Sequence, residues 1–182
     1  MLYIMRHGKT DWNELHKLQG RTDIPLNEKG REMAEQVREE CAEIGFDVCY
    51  TSPLIRARET AQIALDGLGV PIITDDRLVE MCFGKYEGSE NAADIPGSPI
   101  KTFFEEPEKY KGAEGAETFE ELFARTGEFI EEVIKPELSQ NKNVLIVGHG
   151  AMNSSIICQI KQKKLDKFWE AGIPNCKLIR LI

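Results

Sequence analysis

The sequence predicts an α/β fold with three layers: a mostly parallel central sheet, helices on both of its faces, and one antiparallel edge strand. Two short apolar runs, 2–5 and 144–147, are typical of buried parallel strands. Further apolar runs alternate with segments whose apolar residues recur at helical spacing, which is the pattern of an α/β sheet. The closing segment 176–182 alternates only partly, so we expect it at the sheet edge.

The first apolar run ends in Arg6-His7-Gly8. Gly8 lets the backbone turn sharply, and open α/β sheets bind their ligands at the carboxyl ends of strands. The guanidinium of Arg6 offers five donors to a phosphate group, and the imidazole of His7 can act as a nucleophile near neutral pH. A solvated Arg-His pair near a terminus is the alternative, and this motif alone leaves both interpretations open.

The second apolar run also ends in a histidine followed by a glycine, His149-Gly150. The chain has three histidines, and two of them occupy this strand-end position, which favours a functional pair over chance. Together with Arg6-His7-Gly8, this arrangement resembles the histidine phosphatase superfamily, the phosphoglycerate-mutase-like enzymes with an Arg-His-Gly motif. The resemblance extends over most of the chain.

Length and composition predict a single domain, residues 1–182, with 41% apolar and 30% charged residues. No apolar run is long enough to span a membrane, and the N-terminus lacks a signal-peptide pattern, so we expect a cytoplasmic protein. The five cysteines without paired spacing agree with a reducing compartment. The net charge of −8 argues against nucleic acid or an anionic membrane as partner, whereas a small phosphorylated molecule needs only a local cationic pocket.

Polar residues after the first strand are candidates for the phosphate pocket. The family carries an asparagine at this pocket, which selects Asn13 by resemblance. Gln19-Gly20 resembles a pair that lines the substrate mouth in the family. The hydroxyl of Thr10 could hold a phosphate oxygen or brace the loop. His16 lacks the strand-end position, so we interpret it as a surface residue.

A helix is predicted from its cap at Asn27 to about Gly45, and a strand follows over 46–51. Ser52-Pro53 then predicts the cap and the first position of the next helix.

The N-terminus of that next helix follows a strand, so its amides and dipole favour an anion. Arg56 in its first turn would add a full positive charge there. The family pattern Ser-x-Leu-x-Arg-Ala-x-x-Thr-Ala also selects Arg56 as the phosphate ligand. Arg58 lies roughly 200° around the helix from Arg56. We therefore interpret Arg58 as a solvated or ion-paired residue.

A short strand is predicted over 70–74, and it leads into the segment 75–88. Composition alone does not distinguish Glu80 from the other acids of the chain. The family pattern Leu-x-Glu-x-x-Phe-Gly-x-aromatic-Glu-Gly does, and the resemblance implies that Glu80 is the proton donor. Glu87 is the second acid of the pattern, and we interpret it as structural.

Residues 89–117 are rich in glycine, proline and acids, and a segment this long is usually a lid or binding loop. We predict it to be a lid or specificity insertion, with helical turns around 100–106. A capping box over 118–121 starts a helix that is predicted to end at Pro136. A further helix is predicted over 153–162.

These residues predict a metal-independent phosphomonoesterase without a cofactor. We expect His7 to attack phosphorus in line and form a phosphohistidine. Glu80 would donate a proton to the leaving oxygen and then act as the base for water. The groups expected to hold the phosphoryl oxygens, in place of a metal ion, are Arg6, Asn13, Arg56 and His149.

Two alternatives stay open. Phosphoglycerate mutases typically have Arg-His-Tyr-Gly after the acid and Gly-Asn-Ser after the second histidine. This chain has Met-Cys-Phe-Gly after Glu80 and Gly-Ala-Met after His149, which favours a phosphatase. The other alternative is a non-catalytic relative that binds phosphorylated ligands.

A nucleotide-binding redox domain is excluded because no G-x-G-x-x-G follows the first strand. The sequence leaves the substrate open among sugar phosphates, nucleotides and the α-ribazole phosphate of cobalamin synthesis. No motif indicates the oligomeric state or a redox role for Cys82.

Overall fold

The computed structural model describes residues 1–182 and contains one five-stranded sheet with the order β3-β2-β4-β1-β5. The strands are β1 (Leu2–Arg6), β2 (Val48–Thr51), β3 (Ile72–Thr74), β4 (Val144–Gly148) and β5 (Ile179–Arg180). All neighbouring strands pair in parallel except β5, which pairs antiparallel with β1 at the edge. The predicted mostly parallel sheet with one antiparallel edge strand is therefore confirmed.

Eight α-helices surround the sheet. They are α1 (Asp11–Glu14), α2 (Glu28–Gln36), α3 (Arg38–Ile44), α4 (Ile55–Ala64), α5 (Pro99–Glu105), α6 (Phe119–Phe129), α7 (Lys135–Ser139) and α8 (Gly150–Ile160). None of them has the length and apolar character needed to cross a membrane.

Residues of the strands point alternately into two hydrophobic cores, one on each face of the sheet. Leu2 and Ile4 of β1 belong to the core that α6 and α8 cover. Met5 of the same strand belongs to the core that α3 and α4 cover. This period of two is the geometry of a strand that is buried on both sides, and it produces the three layers.

The helix predicted over 27–45 is present but interrupted. The Asn27 carboxamide caps its start by accepting a hydrogen bond from the Gly30 amide at 2.9 Å. Val37 then separates α2 from α3, and the chain leaves α3 at Gly45, whose φ of 67° lies in the left-handed region that favours glycine.

The predicted start of α4 at Ser52-Pro53 is wrong. The helix begins at Ile55, whose amide donates to Asp23 Oδ1 at 2.7 Å. Ser52 Oγ accepts instead from the Leu54 amide, at 3.3 Å. The carboxylate that binds the first amide of the helix therefore comes from a distant loop, which no local capping pattern can indicate.

The predicted end of the helix at Pro136 is also wrong. The helical path continues from α6 through a π-helical stretch, Ile130–Ile134, into α7, which contains Pro136 in its first turn. Proline has no amide hydrogen to donate into the preceding turn, so the helical path passes Pro136 without that hydrogen bond. The wider π turn before it separates the two helical registers.

Candidate active site

The pairing of β1 with β4 brings the two strand-end histidines together. Arg6 lies opposite Gly148 in the parallel register, so the next residue of each strand is His7 and His149. Their ring centroids are 5.2 Å apart and both side chains are buried. The His-Gly motif that ends both strands therefore places His7 and His149 side by side.

The imidazole of His7 is fixed in one orientation. Its Nδ1 lies 2.6 Å from the Gly8 carbonyl oxygen. Because a carbonyl only accepts, Nδ1 carries the proton and Nε2 keeps its lone pair. Gly8 is held by Thr60, whose Oγ1 accepts from its amide at 2.9 Å, and a Cβ at Gly8 would lie 2.4 Å from the Gly30 carbonyl oxygen. The turn after β1 therefore requires glycine.

Arg56 is completely buried, and backbone carbonyls orient its guanidinium. Its NH1 donates to the Thr22 oxygen at 2.9 Å and its NH2 to the Gly20 oxygen at 2.7 Å. Arg6 NH1 donates to the Ile173 oxygen at 3.4 Å. The Nε atoms of Arg6 and Arg56 are both buried and have no partner in the protein.

Glu87 holds the loop that orients Arg56. Its carboxylate accepts from the Arg21 amide (3.0 Å), the Thr22 amide (2.9 Å), the Thr22 hydroxyl (2.5 Å) and the Phe83 amide (3.1 Å). Burial acts to raise the pKa of Glu87, but these hydrogen bonds outweigh it and lower the pKa below its usual value. This structural carboxylate fixes the Gly20 and Thr22 carbonyls that Arg56 binds.

Glu80 is buried at the N-terminus of α8. Its Oε1 accepts from the Met81 amide at 2.8 Å and the Met152 amide at 2.9 Å, and its Oε2 accepts from the Ala151 amide at 3.1 Å. The sequence predicted this helix to start three residues later, at Asn153. Its actual start at Gly150 is what provides two of the three amides.

An ion pair that the sequence did not indicate supports the segment around Glu80. Arg125 binds the buried Glu117 carboxylate through two nitrogens, at 2.7 and 2.9 Å. The remaining nitrogen of Arg125 donates to the Arg77 oxygen at 2.6 Å and the Val79 oxygen at 2.8 Å. The Glu117 amide donates to the Cys82 oxygen at 2.9 Å. Arg125 lies in a helix and Glu117 in a loop, where charged side chains are common, so the sequence did not distinguish this pair.

Burial and neighbouring charge keep both histidines neutral. Desolvation lowers the pKa of His7 well below its usual value, and the positive charges of Arg56 and Arg6 lower it further. The pKa of His149 is lowered by the same desolvation and by Arg56. Burial lowers the pKa of Arg56 to about 10, against the attraction of Glu80, so this guanidinium stays charged near neutral pH.

We expect the free energy of unfolding to fall as the pH drops below about 6.5, because the unfolded chain then protonates His7 and His149 while the folded chain does not. This stabilisation is complete above the unfolded pKa and is lost below it, by up to about 1.4 kcal/mol per pH unit for each histidine. Urea unfolding between about pH 7.5 and pH 5.5 measures the slope.

The matched controls for this pH dependence are single histidine variants. His149→Gln should reduce the slope below about pH 6.5. His16→Gln, at the exposed histidine, should leave it unchanged. Equal slopes in the His149→Gln variant and the unaltered protein would contradict a buried neutral histidine.

A cavity of about 400 Å³ opens onto these groups. Of the predicted site residues, the structure places Arg6, His7, Asn13, Gln19, Arg56 and Glu80 on its wall. His149 lies behind the wall, against His7. Thr10 is fully buried and braces the loop, with its hydroxyl donating to Gln19 Oε1 at 2.9 Å. Gly20 is also off the wall, and its carbonyl binds Arg56.

The outer part of the cavity is formed mostly by the segment 89–117, which the sequence predicts as a lid or specificity insertion without indicating single residues, and by Trp169, which it did not indicate. The residues of this outer part include Asn91, Ala92, Asp94, Phe103, Phe104 and Trp169. His16, predicted as a surface residue, is exposed and also lines the mouth. Aromatic residues in an irregular segment are usually part of a core, so no sequence signal separated these from packing residues.

No three side chains of His, Cys, Asp or Glu come together in a way that could hold a metal ion. The chemistry that this arrangement offers consists of an unprotonated ring nitrogen, two guanidinium groups, a second imidazole and a buried carboxyl group. Such a set can bind a phosphoryl group and attack it.

Comparison with known proteins agrees with this geometry. PhoE of Bacillus subtilis, an uncharacterized phosphatase, is 36% identical over 179 residues, which are 98% of this chain and 82% of PhoE. Phosphoserine phosphatase 1 of Hydrogenobacter thermophilus is 30% identical over 96% of this chain and 82% of its own. Phosphoglycerate mutases are also among the relatives.

The fold is shared with YhfR of Bacillus stearothermophilus. Its solved structure superposes with a TM-score of 0.88 at 30% identity, covering 97% of this chain and 88% of YhfR. The family model of the histidine phosphatase superfamily, branch 1, matches residues 2–182. With that match over nearly the whole chain, the paired strand-end histidines identify this protein as a member of the histidine phosphatase superfamily.

Proposed function

We propose that this protein is a phosphomonoesterase that hydrolyses a small phosphorylated metabolite through a phosphohistidine on His7. One observation carries the proposal. Seven buried side-chain atoms have no hydrogen-bond partner in the protein, and four of them surround His7: Arg6 Nε, Arg56 Nε and both ring nitrogens of His149. Buried polar atoms are normally paired, and the oxygens of a phosphoryl group would accept from the two Nε–H groups and from the single N–H of the neutral His149 ring.

The proposed first step breaks the ester bond. Nε2 of His7 attacks phosphorus, the bond from phosphorus to the ester oxygen breaks, and Glu80 gives its proton to the leaving oxygen. Glu80 Oε2 accepts one amide hydrogen bond and Oε1 accepts two, so we propose that Oε2 is the oxygen that transfers the proton. Arg6 and Arg56 stabilise the charge on the equatorial oxygens.

Asn13 is proposed as a further phosphoryl ligand. Its Oδ1 accepts from the Thr10 amide at 3.0 Å. This leaves its amide NH₂ as the donor to a phosphoryl oxygen. Gln19 is proposed as a substrate contact on the same wall. Thr10 and Gly20 do not line the cavity and act on the site through Asn13, Gln19 and Arg56.

In the second step, water attacks phosphorus and the bond from phosphorus to Nε2 breaks. Glu80, now a carboxylate, takes the proton from water and returns to its starting state. Inorganic phosphate leaves and His7 is restored as a neutral imidazole. The cycle needs no metal ion because the two arginines and His149 supply the charge and the donors.

The structure favours hydrolysis over a mutase reaction. Met81 is fully buried and Cys82 Sγ lies 3.3 Å from the Gly115 oxygen, so neither provides a polar group to the cavity. Ala151 presents only a methyl group there. A mutase must hold a second charged group of its substrate, and these positions offer no ligand for one.

Three further statements belong to the proposal. Residues 89–117 act as a lid or specificity segment within a single domain, since they supply Asn91, Asp94 and Phe104 to the cavity wall. The protein works in the cytoplasm, which the scattered cysteines favour. It does not use nucleic acid as a partner, which its net charge of −8 disfavours.

Mass spectrometry of the intermediate tests the proposed function. After rapid mixing with p-nitrophenyl phosphate and an acid-free quench, the intact mass should increase by one phosphoryl group, located on the peptide that contains His7. The His7→Ala variant should take up none, whereas His16→Ala should still take up one phosphoryl group, because His16 lines only the mouth of the cavity. Turnover by His7→Ala would contradict the assignment. Phosphate binding without any release of p-nitrophenol would indicate the non-catalytic alternative.

A further inference from the structure

We propose that the alcohol released by this enzyme carries an aromatic or similarly flat apolar group, which binds in the outer part of the cavity against Phe104 and Trp169. This inference rests on the proposed function and names the substrate class of the same site. It concerns the part of the substrate that does not react.

The first observation is an exposed phenylalanine at the cavity. Six large apolar side chains of the chain are exposed, and Phe104, at 44%, is the one among them that lines the cavity. When a ligand covers an exposed aromatic ring on a cavity wall, apolar surface is removed from water, which favours binding. The other five, Ile95 among them, lie elsewhere on the surface.

The second observation is that Phe104 belongs to a wall of rings rather than standing alone. Its ring lies 5.3 Å from the Trp169 ring at an angle of 37°, and 4.9 Å from the buried Phe103 ring. Trp169 Nε1 donates to the Phe103 carbonyl oxygen at 2.9 Å. With its polar atom satisfied, Trp169 offers only apolar ring surface to a ligand, and a flat group can pack against both rings.

The third observation is the charge of the outer cavity. Lys17 is the lysine that lines it, and its Nζ lies 3.9 Å from Glu90. Asp94 adds a carboxylate to the same wall. A second phosphate or carboxylate on the leaving alcohol would therefore meet only Lys17 as a cation, and Lys17 already lies near Glu90. The carboxylate of Asp94 would repel such a group. An uncharged apolar group meets no such opposition.

The size of the cavity is consistent with this substrate class. Its volume of about 400 Å³ lies within the range that small-molecule sites usually have. The inner end, with Arg6, Arg56 and His7, takes the phosphoryl group. The remaining space borders the aromatic wall and can take one ring system.

Two pairs of substrates test the proposal. We expect kcat/KM for 2-phenylethyl phosphate to exceed that for ethyl phosphate by about tenfold, because burial of the ring adds binding that ethyl phosphate lacks. Both esters release a primary alcohol, so leaving-group ability does not cause the difference. O-phosphoserine and 3-phosphoglycerate should each be hydrolysed with a kcat/KM about tenfold below that of 2-phenylethyl phosphate.

Variants at the cavity wall test where the aromatic ring of the substrate binds. Phe104→Ala should lower the ratio of 2-phenylethyl to ethyl phosphate kcat/KM by about fivefold, mainly through KM for the aromatic ester. Ile95→Ala is the matched control, because Ile95 is exposed in the same segment and does not line the cavity. It should leave the ratio unchanged.

The outcomes separate this inference from the proposed function. Equal kcat/KM for the two alkyl esters, or an unchanged ratio in Phe104→Ala, would overturn the aromatic leaving group. A preference for O-phosphoserine, whose ammonium could meet Asp94, would also overturn it and would assign the outer cavity to a zwitterion. In each of these cases His7 would still be phosphorylated. Absence of hydrolysis of every ester, with no adduct on His7, would refute the proposed function itself.

Discussion

Replacing Arg56 by lysine is expected to lower kcat/KM for any phosphomonoester by about 10³-fold, within the range that arginines at phosphoryl groups contribute. The guanidinium binds the Gly20 and Thr22 carbonyl oxygens with two nitrogens while its Nε has no protein partner. A lysine ammonium is a single point of charge and cannot hold both carbonyls and a phosphoryl oxygen in one plane. Steady-state kinetics with p-nitrophenyl phosphate measures the loss.

The same helix offers a control for that substitution. Arg58 is exposed, on the opposite side of α4, and Arg58→Lys should leave kcat/KM unchanged. Because the Arg56 variant leaves a buried carbonyl without its partner, it should also be less stable, by about 1–3 kcal/mol, and its folded fraction must be checked by thermal unfolding. A folded Arg56→Lys enzyme within tenfold of the unaltered activity would refute the phosphate-binding role.

For Glu80→Gln we expect a loss of about 10²–10⁴ in the rate of phosphorylation by an alkyl phosphate, the usual contribution of general acid catalysis. Phosphorylation of His7 by p-nitrophenyl phosphate should be slowed far less, because this leaving group needs little protonation. Dephosphorylation can be slowed with either substrate, so the measurement is the pre-steady-state burst of released alcohol, compared between the two esters.

The comparison of the two esters also separates chemistry from structure. Glutamine places an NH₂ group among three backbone amides that now donate to the carboxyl oxygens, so part of any loss will come from altered packing. Altered packing slows both esters alike, whereas loss of the transferable proton does not. Equal slowing of the two bursts would rule out Glu80 as the donor. Glu87 is no substitute, because it is absent from the cavity wall and its oxygens hold the 20–22 loop.

Strand-end residues were the predictable part of the candidate site. His7 and His149 follow apolar runs, and once those runs are parallel neighbours their ends must meet at one edge of the sheet. Glu80 came from resemblance alone, since one acid among many carries no local signal. Arg56 was also indicated by its place in the first turn of a helix that follows a strand. The structure shows what gathers them: two loop carbonyls for Arg56 and the α8 amides for Glu80.

What the sequence could not show depends on contacts between distant residues. Asp23 caps a helix that starts 32 residues later, which displaces the predicted start at Ser52. Arg125 reaches back 46 residues to the Val79 carbonyl. The aromatic wall joins Phe104 to Trp169 across the segment that contains β4. Periodicity and motif spacing describe neighbours along the chain, so they cannot indicate such partners.

The order of the sheet has a consequence for the synthesis of this protein. β1 lies between β4 and β5, so after its synthesis it has no sheet partner until residue 144 and beyond are made. At typical rates of elongation that interval is roughly 7–30 s. During that interval, the apolar residues Leu2, Ile4 and Met5 have no neighbouring strand. Strand β2 and its neighbour β3, by contrast, can pair early. His7 and His149 therefore come together only after β4 has been made, so the site forms late in folding.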